Sequence, residues 1–157
     1  MSETKSPAPV NPAEAFESLI LLSHRWTAMV GASSIMAAHS MTVPSFVILT
    51  TAAAEPGTPL GKLSRKAGLE KADAVSAMRS LKIAGLIDEA ASPEGKGRNL
   101  TATDKGRETL AALRAGFADA AGEVPEANWR AVPRLAAILR RSSRVLAKPA
   151  ADDAEAA

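Results

Sequence analysis

The side chains best equipped for chemistry in this chain are cations rather than nucleophiles. Between Thr58 and Arg107 there are ten basic and six acidic residues, and between Asn128 and Lys148 six basic residues and no acid. The net charge is only +2, because an acidic tail masks part of this distribution. A mildly basic surface of this kind can neutralise phosphates, with binding that weakens as salt rises. The same charges also describe an ordinary solvated helix surface, and charge alone does not separate the two. Catalytic constellations are missing. There is no Gly-x-Gly-x-x-Gly, no Walker loop and no His-Glu-x-x-His. Ser23 and His24 are adjacent on a helix and so do not face each other. Gly95 and Gly97 flank Lys96, but no helix follows at once, as a phosphate loop requires. With no cysteine there is no disulfide, thiolate or zinc–cysteine chemistry. The two histidines, His24 and His39, lack metal-ligand spacing. The expectation is a non-enzyme with no cofactor and no metal.

The elements that must carry these cations follow from apolar spacing and from start and stop residues. A long first helix is expected from about Pro12 to Ala38, with Phe16, Leu19, Ile20, Leu22, Trp26, Met29 and Val30 apolar, and Ile35 and Met36 beyond Gly31. The Gly31-Ala32-Ser33-Ser34 patch reads as a close crossing or a bend. Thr42 is the expected N-cap of a second helix that tolerates Pro44 in its first turn and stops before Glu55-Pro56-Gly57. Thr58 and Pro59 repeat the start signal for a short helix, Pro59 to Ala67, which Gly68 closes in a left-handed C-cap. Lys71 to Ala84 follows as a helix with Ala74, Ala77, Met78 and Leu81 inward, and Asp73, Ser76, Arg79, Ser80 and Lys82 outward. Gly85 ends it. Leu86-Ile87 begins a strand, Ser92 to Gly97 is a hairpin tip, and Asn99 to Thr103 is the return strand. Thr103 caps a helix with the stripe Leu110, Leu113, Phe117 and Ala121, and Gly122 to Pro125 is a turn. A final amphipathic helix carries Trp129, Val132, Leu135, Ile138, Leu139, Val145 and Leu146, with Pro133 near its first turn.

Two short helices, then a glycine-broken hairpin, is the order of a winged helix-turn-helix, whose second helix enters the DNA major groove. The predicted fold is therefore mainly α. Residues 42–103 form the winged lobe, and 13–41 with 104–147 form a helical dimerisation region. Residues 1–12 and 148–157 are expected to be disordered. Terminal helices this apolar need cover, and a second subunit is the simplest source. No apolar run is long enough to span a bilayer, and the polar, Pro-rich start lacks a signal-peptide core, so no membrane role and a cytoplasmic setting are the default.

On these segments the chain resembles the MarR family of bacterial winged-helix transcription regulators. The resemblance covers most of the chain and is strongest from Thr42 to Leu110, through TVPSFVILTTAAAEPG, LGKLSRKAGLEKADAVSAMRSLKIAGLI and SPEGKGRNLTATDKGRETL. It implies a homodimer that binds a pseudo-palindromic double-stranded operator and commonly represses. It also implies release by a small aromatic or phenolic acid bound between dimer region and lobe. The redox-sensing variant of the family needs a cysteine that this chain lacks.

Residue by residue, the resemblance places Ala72, Asp73, Val75, Ser76 and Arg79 on the outward face of the recognition helix. Arg79 is the base-edge candidate, because a guanidinium pairs bidentately with guanine. Ser76, with Ser80 a turn on, is suited to a base or phosphate; the family often has Arg at position 76. Asp73 departs from the usual Ser or Thr. It repels phosphate, yet suits a cytosine amino group or the helix N-terminus. Lys62, Arg65, Lys66 and Lys71 are expected to position the duplex through phosphates. The family's wing motif Asp-x-Arg is matched by Glu94-Gly95-Lys96, with Arg98 two positions on. Charge is kept, but Lys96 lacks the arginine fork. Glu94 is expected to orient Lys96 or Arg98 toward the minor groove. The resemblance also puts Arg25, Trp26 and His39 beside the effector pocket, where a carboxylate and a ring would meet them. The alternative is that Trp26 is dimer core and His39 makes a local hydrogen bond. The depleted recognition face leaves a second overall reading open: a ligand-sensing or protein-interaction dimer with weak or lost DNA binding.

Overall fold

The computed structural model describes residues 11–91, 98–122, 130 and 132–146. The hairpin tip with Glu94 and Lys96, most of the expected turn after Gly122, Trp129 and both chain ends lie outside these residues, as do the side chains of Val145 and Leu146. The chain divides into two compact units, 1–117 and 118–157.

Helix α1 (Pro12–Gly31) starts where the Asn11 side chain accepts a hydrogen bond from the Ala13 N–H at 3.0 Å, with Pro12 in the first turn. The expected single helix to Ala38 does not form. Ser33 turns extended, with φ −69° and ψ 148°, and caps a new helix, α2 (Ser34–Ala38). Its hydroxyl donates to the Val30 carbonyl at 2.7 Å and accepts from the Met36 N–H at 3.3 Å. A serine that can bond the backbone on both sides competes with helix continuation. The break lets Met36 turn fully into the core. Gly31 sits at a close crossing, since a Cβ there would lie 3.3 Å from Val43 Cγ2.

Thr42 caps helix α3 (Val43–Ala54) as expected, accepting from the Ser45 N–H at 3.2 Å. Thr58 does not start a helix: Thr58–Pro59 is a short strand, β1, with Thr58 buried opposite Leu100. Helix α4 (Leu60–Ala67) begins one residue later, with Pro59 as an N-cap that offers no side-chain bond. The backbone edge of the return strand takes this segment as its partner, and proline is tolerated in an edge strand. Gly68 closes α4 at φ 66°, ψ 28°, and Leu69 returns toward the core with its N–H on the Ser64 carbonyl at 2.9 Å.

Helix α5 (Lys71–Ile83) buries Ala74, Ala77 and Leu81, with Met78 packed beside them. Gly85, at φ 69°, reverses the chain into β2 (Ile87–Ala91), which pairs antiparallel with β3 (Arg98–Ala102) in a sheet of order β1-β3-β2. Under the sheet and helices lie Ile48, Leu49, Leu63, Leu81, Ile87 and Leu100, all fully buried.

Thr103 opens α6 (Asp104–Ala121): its hydroxyl accepts from the Gly106 N–H at 3.0 Å and donates to the Gly85 carbonyl at 2.8 Å. Lys105 Nζ donates to the Ala84 carbonyl at 2.7 Å, so the start of α6 grips the end of α5. Leu110 and Leu113 are buried, and Phe117 meets Phe46 edge-on at 5.8 Å. In the second unit, α7 (Val132–Leu146) leaves Val132, Leu135, Ile138 and Leu139 exposed.

Candidate nucleic-acid interface

Helix α5 presents its outward face because its inward face is pinned by small and aliphatic side chains three and four residues apart. Ala72, Asp73, Ser76, Arg79 and Ser80 are exposed, and Val75 is half-buried. Lys71, Ala72, Val75, Ser76 and Arg79 line a hollow of about 570 Å³. Among the described residues one helix, α5, supplies the lining, and the hollow is open to solvent. Arg79 and Lys71 make no hydrogen bond or ion pair among the described residues, and their charges stand open to a partner. The Ser80 hydroxyl is bonded back to the Ser76 carbonyl at 3.1 Å. Asp73 lies in the first turn of α5, where an acid meets the positive end of the helix dipole.

Three of the other cations expected at the interface are engaged within the fold. Arg65 Nε donates to the Gly61 carbonyl at 3.1 Å. Lys66 is paired with Glu55, whose carboxyl it holds below the usual glutamate range, chiefly through their hydrogen bond. Lys62 is exposed on α4. Arg98 pairs at 3.2 Å with Glu89, which also takes Lys82 at 2.5 Å. The Lys82 hydrogen bond lowers the Glu89 pKa against the opposing effect of burial, with further help from Arg98.

The sequence alone does not mark Glu55 or Glu89 as a partner for these cations. In the sequence Glu55 belongs to the stop signal Glu55-Pro56-Gly57, and nothing singles out Glu89. No sequence spacing marks either pair, since both depend on how separate elements pack. Of the expected effector residues, Arg25 and Trp26 are exposed on α1 and His39 is exposed at the end of α2. No hydrogen bond or ring contact joins the three among the described residues. Among those residues no group of three acids and histidines can hold a metal ion, and no helix is long and apolar enough to cross a membrane.

Two helices joined through a left-handed glycine, a sheet packed behind them and a hairpin beside them define a winged helix-turn-helix. Solved structures match this fold over most of the chain. A MarR family transcription regulator is 22% identical, with a TM-score of 0.67 over 88% of this chain and 93% of its own. A MarR protein of Peptoclostridium difficile is 18% identical, with a TM-score of 0.66 over 90% of this chain and 95% of its own. A Mycobacterium tuberculosis MarR family protein, solved in complex with p-aminosalicylic acid, is 22% identical, with a TM-score of 0.60 over 85% and 98%. The chain therefore has the fold of MarR family structures. No protein-family profile matches the sequence, and no curated protein does.

Proposed function

We propose that this chain is a sequence-specific, double-stranded DNA-binding transcription regulator that works as a homodimer and represses from a pseudo-palindromic operator. The observation that carries the reading is the outward face of α5, where Arg79 stands exposed and unpaired among the described residues on a helix held by Gly68 and a buried inner face. Arg79 reads a guanine edge, Ser76 supports it, and Lys62, Arg65 and Lys71 set the register through phosphates. The apolar residues exposed on α1 supply the dimer face. A small aromatic or phenolic acid, like the ligand of the M. tuberculosis structure, is the proposed effector, with Arg25, Trp26 and His39 as its contacts.

A gel-shift on the promoter region of the chain's own gene, with a salt titration, tests this. Replacing Arg79 by Ala is expected to cost about 1–3 kcal/mol on the operator, and much less on a random duplex. Equal losses on both sink the base-reading role. The pairing of Lys66 with Glu55, and of Arg98 with Glu89, favours a second reading, a ligand-sensing or protein-interaction dimer with weak DNA binding. Absence of any specific shift at low salt would select it.

A further inference from the structure

Glu89 stands where the alternation along β2 asks for an apolar side chain. Ile87, two residues earlier, is buried opposite Ala102, and Glu89 itself lies opposite the fully buried Leu100. Residues directly opposite on antiparallel strands share a face of the sheet. Glu89 is thus on the core-facing side, and its side chain is only 9% exposed. A carboxylate on that face, mostly covered, is stabilised by opposite charge. Lys82, in the last turn of α5, and Arg98, the first residue of β3, supply it, and both meet the same oxygen, Oε2. These cations are 52% and 65% exposed, so they reach the surface between the recognition helix and the root of the hairpin with their charge already answered.

We propose that Glu89 is an internal counter-ion of the nucleic-acid face: by holding Lys82 and Arg98 it withdraws two cations from phosphate contact and lowers affinity for duplex DNA of any sequence. The proposal rests on the DNA-binding reading above. Exposed ion pairs are weak enough to yield to a phosphate. Here a phosphate must compete with a carboxylate oxygen that both cations share and whose side chain is only 9% exposed, which favours the internal pair. Arg98, which the resemblance turns toward DNA, is therefore spent within the fold. Arg79, with no acid partner among the described residues, remains to read sequence while general attraction to the duplex is held down.

The test is fluorescence anisotropy on a random-sequence duplex across a salt series, with wild type, Glu89→Gln and Lys82→Gln, each checked by thermal melting. Each phosphate neutralised adds about 0.9 to the slope of log affinity against log salt. Glu89→Gln is expected to steepen that slope by about one to two units and to tighten binding roughly ten-fold at low salt. An unchanged or shallower slope in a folded variant overturns the proposal. Lys82→Gln, with Glu89 in place, is expected to keep the wild-type slope within about half a unit. A fall of about one unit shows that Lys82 already contacts phosphate, which overturns the proposal even where Glu89→Gln does not fold. If wild type binds and the slopes contradict the proposal, only this inference falls. If neither wild type nor Glu89→Gln binds any duplex, the DNA-binding reading falls with it.

Discussion

The winged lobe and helix α1 are made of similar apolar residues and use them in opposite ways. In the lobe Ile48, Leu49, Leu63, Leu81, Ile87 and Leu100 are all sealed. On α1 no residue is buried, and Phe16, Ile20, Leu21, Leu22, Trp26 and Met29 are 39% to 66% exposed. Both patterns come from helix-forming, apolar-rich segments, so composition does not distinguish them. The difference lies in what each finds to pack against. The lobe closes three helices over a small sheet, and Met36 of α2 with Leu110 and Leu113 of α6 completes its core. Helix α1 reaches the lobe through its C-terminal end, where Val30 packs on the core and Gly31 approaches Val43, and leaves the rest of its apolar stripe for another surface. A contiguous apolar stripe of that length marks an interaction site rather than scattered surface residues.

The contrast makes a prediction about concentration. Replacing Leu63, at the centre of the lobe, by Ala should cost about 2–5 kcal/mol through lost transfer energy and the cavity left behind. Because this core closes within one chain, urea midpoints should shift equally at low and high protein concentration. A shift that shrinks on dilution would mean that the lobe core depends on a second copy.

On α1 the dependence should reverse. Leu22 lies on the exposed stripe with Trp26, four residues on. Leu22→Asp places a charge in the proposed dimer face and should weaken self-association by about 2 kcal/mol, roughly thirty-fold. Sedimentation should then show the mass falling toward that of one chain as the sample is diluted, while the lobe still folds. A wild-type chain that sediments as a monomer at every concentration would break the comparison, since α1 would then have no partner to lose.

Much of the lobe was legible in the sequence because its punctuation is local. Thr42 as a cap, Gly68 as a left-handed stop, the inward spacing of Ala74, Ala77 and Leu81, and Gly85 as a reversal each follow from a few neighbouring residues. Where one residue type serves two local purposes, the reading failed. Thr58 and Pro59 fit a helix start, but they also fit a short edge strand, and Leu100, more than forty residues away in the chain, decides between them. Ser33 fits a helix interior only until its hydroxyl bonds backbone on both sides. The interface was legible at Arg79, whose exposure follows from helix periodicity. It was not legible at Glu89, because the register of β2 on β3 sets both its face and its partners.

Gly68 allows the local claim to be checked by itself. A Cβ at this position would meet no atom within 4 Å, so substitution tests backbone conformation without crowding. Gly68→Ala should destabilise the lobe by about 1 kcal/mol, the cost of a left-handed conformation for a residue with a side chain. No measurable change in the urea midpoint would mean that packing, and not the glycine, sets the turn between α4 and α5.

The smallest expected effect links the lobe's stability to its charges. Lys82 and Arg98 lower the Glu89 pKa from its ordinary value of 4.5. A carboxylate with a depressed folded pKa stabilises the fold fully above its unfolded pKa. That contribution disappears as pH falls through the lower, folded value. Wild type should therefore exceed Glu89→Gln in stability at neutral pH by about 1 kcal/mol or less, since both cationic partners are substantially exposed. The two should converge as the solution becomes more acid than the ordinary glutamate range. Every other carboxylate titrates in both proteins, so the difference between the two curves isolates Glu89. A gap that stays constant down the acid limb would rule out ionisation of Glu89 as its source. The same substitution is expected to tighten DNA binding while slightly weakening the fold, a combination that general damage to the lobe would not produce.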